Sequence, residues 1–106
     1  MDYPCLTVEI VRFISDEPIP GMVACEFTDA DGHRHTLIDK APIFSLVPLD
    51  ASSTYPQAGV VRCEILAQWK DANKGDLTRI SLVHPDDVES TGGLSEFVVL
   101  AEQLSS

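Results

Sequence analysis

Gly21-Met-Val-Ala-Cys-Glu-Phe-Thr-Asp-Ala-Asp-Gly32 is the stretch whose reading decides the fold. Val23, Cys25 and Phe27 fall on one side of an extended chain and Ala24, Glu26 and Thr28 on the other. That period of two is the signature of a half-buried strand. Asp31-Gly32 then supplies a strong hairpin signal, because glycine takes the positive φ that a tight turn between twisted strands requires. His33 to Asp39 returns the chain, with His35 and Leu37 out of phase with Arg34, Thr36 and Ile38.

The wording recurs further along as Gly59-Val-Val-Arg-Cys-Glu-Ile65, at the same internal spacing. Each copy leads to an Asp-Ala dipeptide (Asp29-Ala30, Asp71-Ala72), a turn glycine and a second run of strand formers. Two copies are too few for an open solenoid. The expectation is therefore two related hairpins sharing a core: an all-β chain forming a small antiparallel barrel or two-sheet sandwich of six to seven strands, in one domain over 1–106.

Outside the repeat, Leu6, Val8 and Ile10 alternate with Thr7 and Glu9, so Cys5 to Ile14 reads as a strand. Its phase changes at Val11, Phe13 and Ile14, which a bulge would reconcile. Ser15 to Gly21, with Pro18 and Pro20, is a loop. Ala41 to Val47 reads as a short strand or edge segment beginning at Pro42, and Leu49 to Gly59 as a longer loop with room for one turn capped by Asp50 or Ser52. Gly59 to Trp69 is the longest strand expected, turned at Lys70–Asp76 and paired back by Leu77 to Val83. A polar loop from His84 to Gly93 precedes a last strand over Leu94 to Leu100. No stretch has a sustained helical period.

The chain carries 17 acidic and 7 basic residues, a formal charge of −10. Arg12, Lys40, Arg62, Lys70, Lys74 and Arg79 are scattered singly, so no basic patch opposes that field. Phosphate backbones and anionic membrane surfaces are disfavoured as partners, whereas a basic protein would be attracted. No run approaches the roughly 20 apolar residues of a membrane span, and the N-terminus, with Asp2 and Glu9, lacks the pattern of an export signal. Cys5, Cys25 and Cys63 are odd in number and widely spaced, which fits reduced thiols in a cytoplasm better than a disulfide framework.

The chemistry-bearing candidates are weighed against plainer roles. Cys25 and Cys63 could ligate a metal with His33 and His35, but structural zinc sites usually bring cysteines two to four residues apart. Sharing a face with Val23, Phe27, Val61 and Ile65, they read as small core residues. Glu26 and Glu64, on the opposite face, read as solvated carboxylates. His84, Asp86 and Asp87 gather an imidazole and two carboxylates in one loop, and with His33 and His35 they would serve a small metal-dependent or hydrolytic enzyme if they met in one concave site. No nucleophile elbow, phosphate loop or dinucleotide fingerprint is present. No catalytic residue, metal or cofactor is assigned.

The role expected is a non-catalytic binding or accessory protein of a bacterial cytoplasm, with an acidic immunity-type inhibitor of a basic toxin as one alternative and the small enzyme as another. Its interaction surface would draw on Phe44, Leu46, Leu49, Tyr55 and Trp69, large apolar side chains near a strand-edge proline or at a strand end. Tyr55 could instead pin its loop, and Trp69 could close the core. The chain would be a monomer, or a homodimer through an edge strand. Pro20 to Gly32 and Glu89 to Leu100 resemble segments of small bacterial proteins of about this length, a resemblance that implies no activity. A similarity to the β-barrel domains of translation factors is one of fold alone.

Overall fold

Eleven residues of alternating burial open the structure, a computed structural model that describes residues 3–105. Asp2, part of the N-terminal reading, and both ends of the 1–106 domain lie outside the described residues. Strand β1 (Cys5–Ser15) buries Leu6, Val8 and Ile10 and exposes Thr7 and Glu9 between them. Its pairing with β2 (Met22–Thr28) shifts register between Ile10 and Arg12 and again between Phe13 and Ser15. These irregularities absorb the change of phase read in the sequence.

β2 pairs with β3 (Arg34–Lys40) without interruption, from Met22 opposite Lys40 to Thr28 opposite Arg34. The turn is built by Asp29, whose Oδ1 accepts the backbone N–H groups of Asp31 and His33, while Gly32 sits at φ +86°. A carboxylate that organises its own turn is the reason aspartate is favoured there. On its other edge β1 pairs with β4 (Gln57–Arg62), and β8 (Leu104–Ser105) adds two residues beside Cys5 and Leu6. The first sheet therefore runs β3-β2-β1-β4, and the second runs β5 (Glu64–Asp71), β6 (Gly75–Ser81), β7 (Glu96–Leu100), all antiparallel.

The expected Gly59–Trp69 strand is thus two strands in two sheets. Cys63 is the break: its N–H donates to the Pro4 carbonyl, and beyond it the chain leaves β1 for β6. The two hairpins expected, β2–β3 and β5–β6, are both present, but the matching segments sit differently in them. The first Gly-x-Val-x-Cys-Glu copy lies wholly within β2 apart from its glycine, whereas the second crosses from one sheet to the other. What the copies do share is turn chemistry, since Asp71 Oδ1 accepts the amides of Asn73 and Lys74 much as Asp29 serves its own turn. The sheets do not close into a barrel, so of the two architectures expected, the sandwich is the one formed.

The core lies between the sheets. Leu6, Val8, Ile10, Val23, Cys25, Phe27, Leu37 and Val61 from the first meet Ile80, Phe97 and Val99 from the second, with Leu82 just past the end of β6. Ala41–Phe44 forms one helical turn, α1, where a strand was expected; Pro42 fits the first turn of a helix as readily as the start of a strand. The turn inserts Ala41 and Phe44 into the core. Near the end of the chain Ala101–Gln103 makes a 3-10 turn that carries β7 across to β8.

Candidate functional site

Of the five residues expected to form an interaction surface, Phe44 (1% exposed) and Leu49 (8%) are core residues, which removes them from any contact face. Tyr55 packs partly against the core, and its hydroxyl donates to the Asp50 carbonyl, pinning the loop. Leu46 is fully exposed beside Val47, on a loop after α1. Trp69 is exposed on β5, 39% of it accessible, rather than closing the core.

β5 differs from every other long strand. All six residues from Ile65 to Lys70 are exposed, and the strand pairs only with β6. Ile65 and Leu66 stand open beside Trp69. Of the three other sheet edges, two carry backbone hydrogen bonds from a turn or loop. β7 is approached by the β2–β3 turn, where Ala30 N–H donates to the Val98 carbonyl. β3 is bridged by Ser90, and Thr91 N–H donates to the Thr36 carbonyl. β4 has α1 packed over its face at Gly59. Among the described residues no such cover reaches β5. An exposed strand edge of this kind is a template for another chain. The parity of Ile65 with Cys63 assigns it to the core face in the sequence, whereas Leu66 falls in phase with Arg62 and Glu64; the polar flanks of Trp69, Gln68 and Lys70, are the available signal.

The titratable candidates fall in two places. At the β2–β3 turn, His35 Nε2 lies 2.7 Å from Asp29 Oδ2, and the ring packs tilted against Phe97 and Phe27 at centroid distances of 4.7 and 5.3 Å. His33 is solvated, its Nδ1 3.7 Å from Asp29. Asp29, Asp31 and His33 could approach one cation, but Lys74 Nζ already meets Asp31 Oδ1. Burial pushes the Asp29 carboxyl up. The hydrogen bond and charge of His35 and the two turn amides outweigh it, so its pKa is lowered. A group depressed in the folded state stabilises above its unfolded pKa and loses that contribution as pH falls through the folded value. Acidification below about pH 4 should therefore destabilise the chain, and Asp29→Asn should flatten that part of a stability–pH profile measured by urea denaturation.

In the second place, His84 and Asp87 stand in the loop after β6, and Asp86 is held by the Arg62 guanidinium at 2.6 and 3.1 Å. Neither group lines a cleft of about 590 Å³ bounded by Thr7, Glu9, Glu26, Thr28, Arg34 and Glu102 among others. That cleft opens because β1 and β2 part after the Glu9–Glu26 pair, leaving Thr7–Val8 and Phe27–Thr28 unpaired with each other. Arg34 spans its wall, donating to Glu9 (2.8 Å), Glu26 (3.1 Å) and Thr28 (3.1 Å). Cys25 and Cys63 are buried, and desolvation pushes their thiols up to about 12 and about 11, with the charge of Cys5 adding to the latter. Both are held as neutral thiols, unsuited to nucleophilic work.

Among the described residues no helix is long and apolar enough to cross a membrane. Comparison with known protein families, with curated proteins and with solved structures finds no match.

Proposed function

We propose that this chain is a non-catalytic binding module, an accessory protein of a bacterial cytoplasm, whose contact surface is the β5 edge. The observation that carries this reading is an eight-residue strand paired on one side only, with Ile65, Leu66 and Trp69 exposed along it. Strand addition would satisfy the open backbone groups while the side chains supply selectivity. The three unpaired thiols support a reducing compartment. The split of the histidines and aspartates between a turn and a loop weighs against the small enzyme.

The test is photocrosslinking in the native host from a benzoylphenylalanine at Gln68 on β5, with Thr7 in the Arg34-walled cleft as the comparison. Crosslinking from Gln68 and not from Thr7 is expected. The reverse pattern would favour a second reading, an acidic inhibitor of a basic protein, because the cleft presents the carboxylates of Glu9, Glu26 and Glu102.

A further inference from the structure

We propose that the occupant of the β5 edge is a second copy of this chain, paired antiparallel across a two-fold axis at Trp69 to give one continuous sheet; this rests on the reading of β5 as the contact edge. The register follows from the strand itself. An axis normal to the sheet keeps each face with itself, so a residue can oppose only a residue of the same face. Opposite β6, Ala67 pairs with Arg79, Trp69 with Leu77 and Asp71 with Gly75 on the outer face, and Gln68 pairs with Thr78 and Lys70 with Asp76 on the inner face.

A register shift between Ile65 and Ala67 leaves Leu66 as a bulge. Centring the axis on Ala67 or Gln68 would draw that bulge into the new ladder. Centring it on Lys70 would oppose two ammonium groups, which is destabilising. Centring on Trp69 uses only Ala67 to Asp71, setting Gln68 against Lys70 and Ala67 against Asp71 with no like charges opposed. The bulge then ends the pairing, and because the two-fold axis uses the β5 edge of both copies, the contact closes as a dimer.

Two rows of side chains favour a second copy. On the outer face Leu100, Leu77 and Trp69 lie in one row across β7, β6 and β5, and the axis continues it through Trp69, Leu77 and Leu100 of the other copy as an unbroken apolar stripe. In the next row stand Val98, Arg79 and Ala67. Arg79 has no carboxylate within ion-pair distance among the described residues. The register places Asp71 of the second copy next in that row, two strand spacings or about 10 Å away between backbones, with only the small Ala67 between. A guanidinium laid over alanine spans that gap to the carboxylate, whose Oδ1 serves the turn amides and whose other oxygen remains available. The symmetry makes this charge pair twice.

Sedimentation velocity of the full chain over a concentration series tests the assignment. The wild-type chain should dimerise reversibly. Trp69→Lys and Arg79→Glu should each raise the dimer dissociation constant about tenfold or more, and Arg79→Lys should change it by less than about threefold. Both altered side chains are on an exposed surface, and circular dichroism verifies that each variant is folded. A wild-type chain that stays monomeric to its solubility limit, or a dimer indifferent to Trp69→Lys, overturns the proposal. If the chain is monomeric while Gln68 still crosslinks a different protein, the second copy is wrong and the edge reading stands. If it is monomeric and Gln68 crosslinks nothing, both fall.

Discussion

Phe44→Ala is expected to lower the unfolding free energy by about 3–5 kcal/mol, while Leu46→Ala, two residues on, changes it by less than about 0.5 kcal/mol. Phe44 is 1% exposed and packs among the core residues drawn from both sheets. Its removal forfeits the transfer free energy of a ring and leaves a cavity that a rigid sheet pair cannot collapse to fill. Leu46 is fully exposed and has nothing comparable to lose. Urea denaturation followed by circular dichroism, with a common slope, separates the two. Equal small effects would mean that α1 does not anchor the loop over the first sheet.

Gly59→Ala is the second large effect expected, about 1–3 kcal/mol of destabilisation, with Gly59→Val costing more. A Cβ at position 59 would stand 2.7 Å from Ile10 Cδ1, 2.8 Å from Ile10 Cγ1 and 2.9 Å from the Phe44 carbonyl oxygen. Ile10 could rotate, but the carbonyl belongs to the α1 backbone and cannot yield without moving the turn. Gly92→Ala is the control: its added Cβ meets only Ser90 Oγ at 3.7 Å, and its effect should stay within about 0.5 kcal/mol. Thermal or urea melts of the pair would reveal whether close approach, rather than glycine entropy, sets the difference.

These two positions show where the sequence could be read and where it could not. Gly21 and Gly59 begin matching segments, yet Gly21 sits just outside β2 at φ +114° and Gly59 sits within β4 because its neighbours crowd it. Local patterning recovered the β2–β3 hairpin, the buried face of Val23, Cys25 and Phe27 and the bulged β1, since all of these depend on alternation and turn chemistry within a short window. The break at Cys63 was hidden because a strand that changes sheets keeps its alternation; only the partner changes, and partners are non-local. Phe44 and Leu46 have the same hydrophobic character and opposite exposure, decided by one helical turn that Pro42 permits equally with a strand. The bare edge of β5 was beyond reach for the same reason, as an edge is defined by the strand that does not come next to it.

The charged groups followed their usual chemistry more closely. Glu26 remains on the outer face as expected, and Arg34, two strands from Glu9, joins it to Glu26. His35, a candidate metal ligand in the sequence, is packed against Phe97 of the other sheet and tied to Asp29. The hairpin tip reaches across to β7, a tertiary contact that no local rule announces.

Photocrosslinking from Gln68 decides whether the chain acts through the β5 edge. A specific adduct is expected from Gln68 that Trp69→Lys abolishes, with little or none from Thr7. Adducts from Thr7 alone, or adducts from Gln68 that survive Trp69→Lys unchanged, would contradict it.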